Sequence, residues 1–166
     1  TMMFFPVFLS ALTTLIVFLI TRRIAGNVAA FFAATMVGVH ASLLGRTMFG
    51  HADSDALIVF LSVLVLWLFI EAFTAKKLKW KIAFAAMAGL STGIYSLAWG
   101  GWWWIFDFIM AASTGTIAAF VIYETILALS RRTHGTAKAI INSLKLPTAR
   151  GAIATVAAYF FSAGFF

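Results

Sequence analysis

Arg46, His51, Asp53 and Asp55 fall within ten residues of one another, in a chain where only 10% of residues are charged. Two carboxylates at i and i+2 do not share a helical face, but in a loop that enters a helix both turn toward one cation. Oxygen ligands of this kind suit Mg²⁺ or Mn²⁺. Asp53 and Asp55 supply only part of an octahedral shell, so water, a substrate or other protein groups must complete it. The competing reading is a helix cap plus a solvated acidic pair. Arg46 reads either as a partner that steadies the carboxylates or as an interfacial residue whose head reaches the lipid headgroups. His51 is a competent ligand by type, but a supporting or bystander role is expected for it.

The elements that position these residues must lie in a membrane. Hydrophobic residues make up 63% of the chain and the mean hydropathy is +1.03. Apolar blocks run over 3–20, 25–45, 56–75, 82–99, 101–130 and 151–166, most of them close to the ~20 helical residues that cross a hydrocarbon core of ~30 Å. Lipid offers no partners for bare backbone amides, and no block shows the period-two alternation of a membrane barrel. The expectation is an all-α, polytopic transmembrane helix bundle of about six spans in a single domain covering 1–166.

Charge then orients the bundle. Arg22 and Arg23 follow the first block; Lys76, Lys77, Lys79 and Lys81 follow the third; Arg131, Arg132, Lys138, Lys145 and Arg150 lie between the fifth and sixth. With alternating crossings these loops share one side and hold eleven of the twelve basic residues. The positive-inside rule makes that side cytoplasmic, which places the loop carrying Arg46, Asp53 and Asp55, and the Gly100-Gly101 turn, on the extracytoplasmic side of a cell membrane. The net charge of +7 is therefore the bias of cytoplasmic loops, with contact to anionic membrane lipids, and not a nucleic-acid surface. With no cysteine, disulfides and thiolate metal sites are excluded. A start at Thr1 and an end inside an apolar run lead to the expectation of an internal piece of a larger protein.

Within the blocks, Pro6 stands in a first turn, where its missing donor matters least. Asp53-Ser54-Asp55 is suited to capping the third block. Ala85, Gly89 and Gly93, at steps of four, form a stripe that lets another helix approach closely. Trp80 at one end, and Trp99, Trp102, Trp103 and Trp104 at the other, mark the two interfaces. The block 101–130 is longer than a crossing needs, so it is expected to tilt, protrude or break near Gly115. Ala137, Ile140, Ile141 and Leu144, opposite Lys138, Asn142 and Lys145, suggest a surface helix stopped by Pro147. A buried, hydrogen-bonded state is expected for His40 inside the second block. Asp107 should face the bundle or a wet cavity, since a lipid-facing carboxylate costs ~2.5 kcal/mol or more. Interfacial pairing with nearby basic residues explains Glu71 and Glu124.

The order Phe5-Pro6, Arg22-Arg23, Arg46-Thr47-x-x-Gly50-x-x-Asp53-x-Asp55 at the head of a long helix, and Trp99-Gly100-Gly101 at a later turn, resembles the catalytic subunit of oligosaccharyltransferase, with the archaeal single-subunit form as the nearest likeness. The likeness runs through about Ser130, and the Arg-Thr-x-x-Gly-x-x-Asp-x-Asp stretch is its specific part. It implies the helical-membrane (GT-C type) glycosyltransferase architecture, with these spans as the second to seventh of about thirteen. It also implies transfer of a glycan from a polyprenyl (dolichyl) phosphate or diphosphate to Asn in Asn-x-Ser/Thr of an acceptor polypeptide, with Mn²⁺ or Mg²⁺ as cofactor. Asp53 and Asp55 would then be metal ligands, and Arg46 the arginine that steadies them. The family's first acidic motif, its mobile outer loop and its Trp-Trp-Asp-Tyr-Gly sequon reader have no match here. The chain alone is accordingly expected to be inactive, and Trp102-Trp103-Trp104 with Asp107 is not that reader. Rival readings are another polyprenyl-phosphate-sugar transferase, a cation-coupled transporter using Asp107 and the aspartate pair, and a noncatalytic membrane scaffold. A transporter would be supported by inverted repeats, and none is apparent between the first three and last three spans.

Overall fold

The computed structural model describes residues 4–41, 44–45, 54–130 and 147–164. Among them the chain is all-helical, as expected. The helices are α1 (Phe5–Gly38), α2 (Asp55–Thr74), α3 (Leu78–Ala98), α4 (Trp103–Ser130) and α5 (Pro147–Ala163). The first four are long and apolar enough to cross a membrane. The expected surface helix over 137–145 lies outside the described residues.

α1 contains the first two expected spans. Its 34 residues are interrupted at Gly26, where φ is +86° and ψ is −178°, a backbone region essentially restricted to glycine. On one straight helix Thr14 and Gly38 would stand about 36 Å apart at ~1.5 Å per residue. Instead, a Cβ built on Gly38 lies 3.7 Å from Thr14 Cγ2. The chain therefore doubles back at Gly26 into two limbs, 5–25 and 27–38. The first limb does not stop at the arginine pair but carries it in its last turn, where cations complement the helix dipole.

The other boundaries differ from expectation in instructive ways. α1 ends at Gly38, which leaves His40 exposed, not buried, in a break that precedes helical backbone at 41 and 44–45. α3 starts at Leu78 and takes Lys79 and Lys81 into the helix, because long lysine stems lie along apolar surface while their heads seek polar partners. α4 continues through Gly115 without a break. α5 starts at Pro147 instead of Gly151, proline being well suited to a first turn.

The core lies where α2, α3, α4 and α5 meet, around Leu61, Val65, Leu68 and Phe69 of α2, Ala85, Ala88 and Tyr95 of α3, Ile105 and Ile109 of α4, and Tyr159 of α5. In lipid, association depends on close packing and interhelical hydrogen bonds more than on the hydrophobic effect. The small-residue stripe supplies the first: Ala85, Gly89 and Gly93 are buried, and the helix that occupies the space is α5. Tyr159 supplies the second. Fully buried, its ring meets Phe69 edge-on at 5.2 Å and stacks on Phe106 at 5.8 Å, and its hydroxyl lies 3.1 Å from Thr92 Oγ1. Thr92 itself donates to Ala88 O, so Tyr159 is the natural donor to Thr92. Tyr159→Phe keeps the rings and loses that bond, with an expected cost of about 0.6–1.7 kcal/mol, read from reversible unfolding in mixed micelles. No measurable change would mean the hydroxyl pair does not join α3 to α5.

Candidate functional site

The basic clusters come together at one end of the bundle, as far as they fall within the described residues. Arg23 Nη2 lies 3.4 Å from Glu71 Oε2 and donates to Thr74 Oγ1 at 3.1 Å, which ties the reversal of α1 to the last turn of α2. Glu71 is thus paired as expected, though across helices and not with nearby Lys76. Lys81 Nζ donates to Phe73 O at 2.7 Å and reaches Ala72 O at 3.5 Å, a lysine capping carbonyls that a helix end leaves without partners. The start of α5 is here too: a Cβ on Gly151 would meet Lys81 Cε at 3.4 Å. Arg131, Arg132, Lys138 and Lys145 lie outside the described residues, as does the side chain of Glu124.

Asp55 is at the opposite end. It opens α2 after Ser54, whose carbonyl accepts from Ile58 N at 3.0 Å. Of the expected capping residues, the Ser54 hydroxyl makes no cap hydrogen bond, and Asp53 lies outside the described residues. Asp55 is partly exposed in the first turn, where a carboxylate complements the positive end of the helix dipole. α2 and α3 run antiparallel, with Ser62 Oγ 2.9 Å from Tyr95 Oη, so the end of α3 and the Trp99–Trp102 turn share the Asp55 end. That turn closes through Trp102 N donating to Trp99 O at 3.2 Å. Gly101 leaves room for the Trp99 ring: a Cβ there would stand 2.5 Å from it, and the ring would have to swing aside. Trp103 and Trp104 are exposed, as interfacial indoles should be.

Arg46, His51 and Asp53 lie outside the described residues, so of the acidic motif only Asp55 is placed. No three Asp, Glu, His or Cys side chains converge among the described residues. For a divalent ion the fit therefore rests on one hard carboxylate donor, of the right chemistry and at a helix head, whose further ligands have to come from elsewhere. Asp107 departs from expectation. It is exposed, on the face of α4 shared with Trp104 and Phe108, while Ile105 and Ile109 turn inward. At 3.6 residues per turn, position 107 falls nearly opposite 105 and 109, so α4 cannot bury all three against the same neighbours. It is one turn from the start of α4, nearer the interface than the longer block suggested, and it faces away from the described bundle instead of lining an ion path through it.

Sequence reasoning did not single out Lys81 or the Tyr95 and Tyr159 hydroxyls. The spacing of Lys77 and Lys81 by one helical turn was the available signal for the first, and for the tyrosines there was none. Comparison with known proteins gives a match over residues 1–165 to the family described as oligosaccharyl transferase STT3, N-terminal. No curated protein and no solved structure matches the chain. A match spanning nearly the whole helical bundle, with an acidic helix head at one end and clustered cations at the other, shows that the chain belongs to the STT3 oligosaccharyl transferase family.

Proposed function

We propose that this chain forms part of the membrane domain of a metal-dependent oligosaccharyltransferase, which moves a glycan from a polyprenyl phosphate or diphosphate to the side-chain amide of Asn in Asn-x-Ser/Thr. The family match over residues 1–165 carries this reading, and the position of Asp55 at the end of the bundle away from the basic residues supports it. By the positive-inside rule the Asp55 end faces out of the cytoplasm. Asp53 and Asp55 would hold a Mn²⁺ or Mg²⁺ ion, whose charge stabilises a leaving phosphate as a Lewis acid does. The chain's own contribution is placement: α2 fixes one carboxylate at a rigid helix end, the interfacial tryptophans set its depth, and Arg46 steadies the acidic pair.

The test uses the full-length chain in liposomes with a lipid-linked glycan donor and two peptides, Asn-x-Thr and Gln-x-Thr. Transfer is expected to the first only, to stop with a chelator, and to return with Mn²⁺. Transfer that continues at full rate through chelation would remove the metal from the proposal, and absence of transfer to Asn-x-Thr under all conditions would remove the reaction.

A further inference from the structure

A cavity of about 540 Å³ lies beside the end of α2, away from Asp55, lined by Phe73, Ile117, Phe120 and Ala152 together with Lys76 and Lys81. Its origin is the course of α4. Ile105, Ile109 and Ser113 bury the first half of that helix, but beyond them Thr116 is exposed and Ile117 and Phe120 are only partly covered. Among the described residues α4 thus loses cover as it approaches the basic end, and the wedge lies between it and the ends of α2 and α5.

Charge and size together select the occupant. The nearby carboxylate, Glu71, is committed to Arg23 at 3.4 Å. Lys81 spends its ammonium on two backbone carbonyls, Phe73 O and Ala72 O, and an ammonium has three donors. Lys76 forms no ion pair among the described residues and is exposed. Two cations lining an otherwise apolar wedge match a molecule with an anionic head and a hydrocarbon body. A protein helix is too wide: about 10–12 Å across and rising ~1.5 Å per residue, only three to five of its residues would fit within about 540 Å³. Trp80, half exposed and next to Lys81 in the sequence, is an interfacial side chain of the kind that sits among headgroups.

We propose that this wedge is a binding site for an anionic phospholipid, its headgroup phosphate on Lys76 and Lys81 and one acyl chain against Phe73, Ile117 and Phe120. The site lies at the opposite end of the bundle from Asp55 and is independent of the transferase reading, so an Asp55→Ala chain keeps the lipid even where transfer is lost.

The full-length chain, purified in mild detergent, is titrated with phosphatidylglycerol, with phosphatidylcholine of the same acyl chains, and with inorganic phosphate, and occupancy is read by native mass spectrometry. Phosphatidylglycerol is expected to bind and to be retained. Lys76→Gln with Lys81→Gln should weaken it about 30-fold, taking each lysine near a membrane surface at its usual worth. Because Lys81 also caps α2, Lys76→Gln alone is measured as well, with about a fivefold loss expected. Phe120→Trp, which fills the wedge, should reduce binding of both lipids. Equal retention of the two lipids, unchanged phosphatidylglycerol binding in Lys76→Gln, phosphate binding as tightly as the lipid, or no bound lipid at all would each overturn the proposal.

Discussion

Asp53→Ala combined with Asp55→Ala in the full-length chain lowers glycan transfer to an Asn-x-Thr peptide by about 100-fold or more, while the protein inserts and accumulates normally. The size follows from the role: a divalent ion that neutralises a leaving phosphate supplies several kcal/mol in the transition state, and each ~1.36 kcal/mol is a decade in rate. Normal insertion follows from position. Asp55 is a partly exposed first-turn residue, and losing a dipole-complementing carboxylate costs only about 0.3–1 kcal/mol. Arg46→Ala should lose less, because in the proposed site it acts through the carboxylates. Asp107→Asn serves as the control, since that side chain points away from the described bundle, and its transfer should stay near wild type. Full activity in the double alanine variant would falsify the assignment of this loop as the metal site.

Gly89→Leu has the largest expected effect on the fold. A Cβ at this position meets the Ser162 hydroxyl and lies 2.6 Å from Tyr159 O and 2.9 Å from Ala163 N. Two of these three obstacles are backbone, which has no rotamer to change. Even alanine requires α3 and α5 to part, and leucine adds three further carbons at the most closely packed contact of the bundle. Overpacking typically costs about 1–3 kcal/mol where side chains can yield; here the cost should be about 3 kcal/mol or more, and the Thr92 to Tyr159 contact, one helical turn away, should be lost with it. Unfolding in mixed micelles measures this. Gly115→Leu is the comparison, because a Cβ there meets nothing within 4 Å. Equal stability of the two variants would show that α3 and α5 do not meet along this stripe.

The sequence makes the spans legible because a long apolar run has few fates in a membrane, and the Ala85, Gly89, Gly93 stripe announces a close contact by residue size alone. It does not say which helix fills that contact, since any partner with a smooth face satisfies a small-residue surface. Helix ends were legible where charge and solubility coincide and misplaced where they separate. Lys79 and Lys81 mark a polar boundary, yet belong to α3 because the ammonium of Lys81 reaches back to carbonyls of α2. Gly115 and Gly26 show the same limit from the other direction: a glycine permits a bend, and only neighbouring packing decides whether one occurs. The direction of Asp107 depended on which face α4 gives to the bundle, and its aromatic and aliphatic residues are too evenly spread to reveal that. For the candidate site, residue type and spacing suggest cation chemistry for the acidic motif, but the single carboxylate placed at the head of α2 needs partners distant in the chain, and no local pattern keeps a record of those.

The doubling back of the chain at Gly26 returns the second limb of α1 along the first. Were that glycine to continue the helix, as alanine would favour, the opening 34 residues would form one rod of about 51 Å at ~1.5 Å per residue, longer than the ~30 Å hydrocarbon core, instead of two limbs side by side. In the proposed topology the segments that follow would then be shifted to the other side, and the Asp55 end delivered to the compartment that holds neither substrate of the proposed reaction. In that topology a single dihedral pair in a residue remote from the chemistry would decide to which side of the cell the chemistry is addressed.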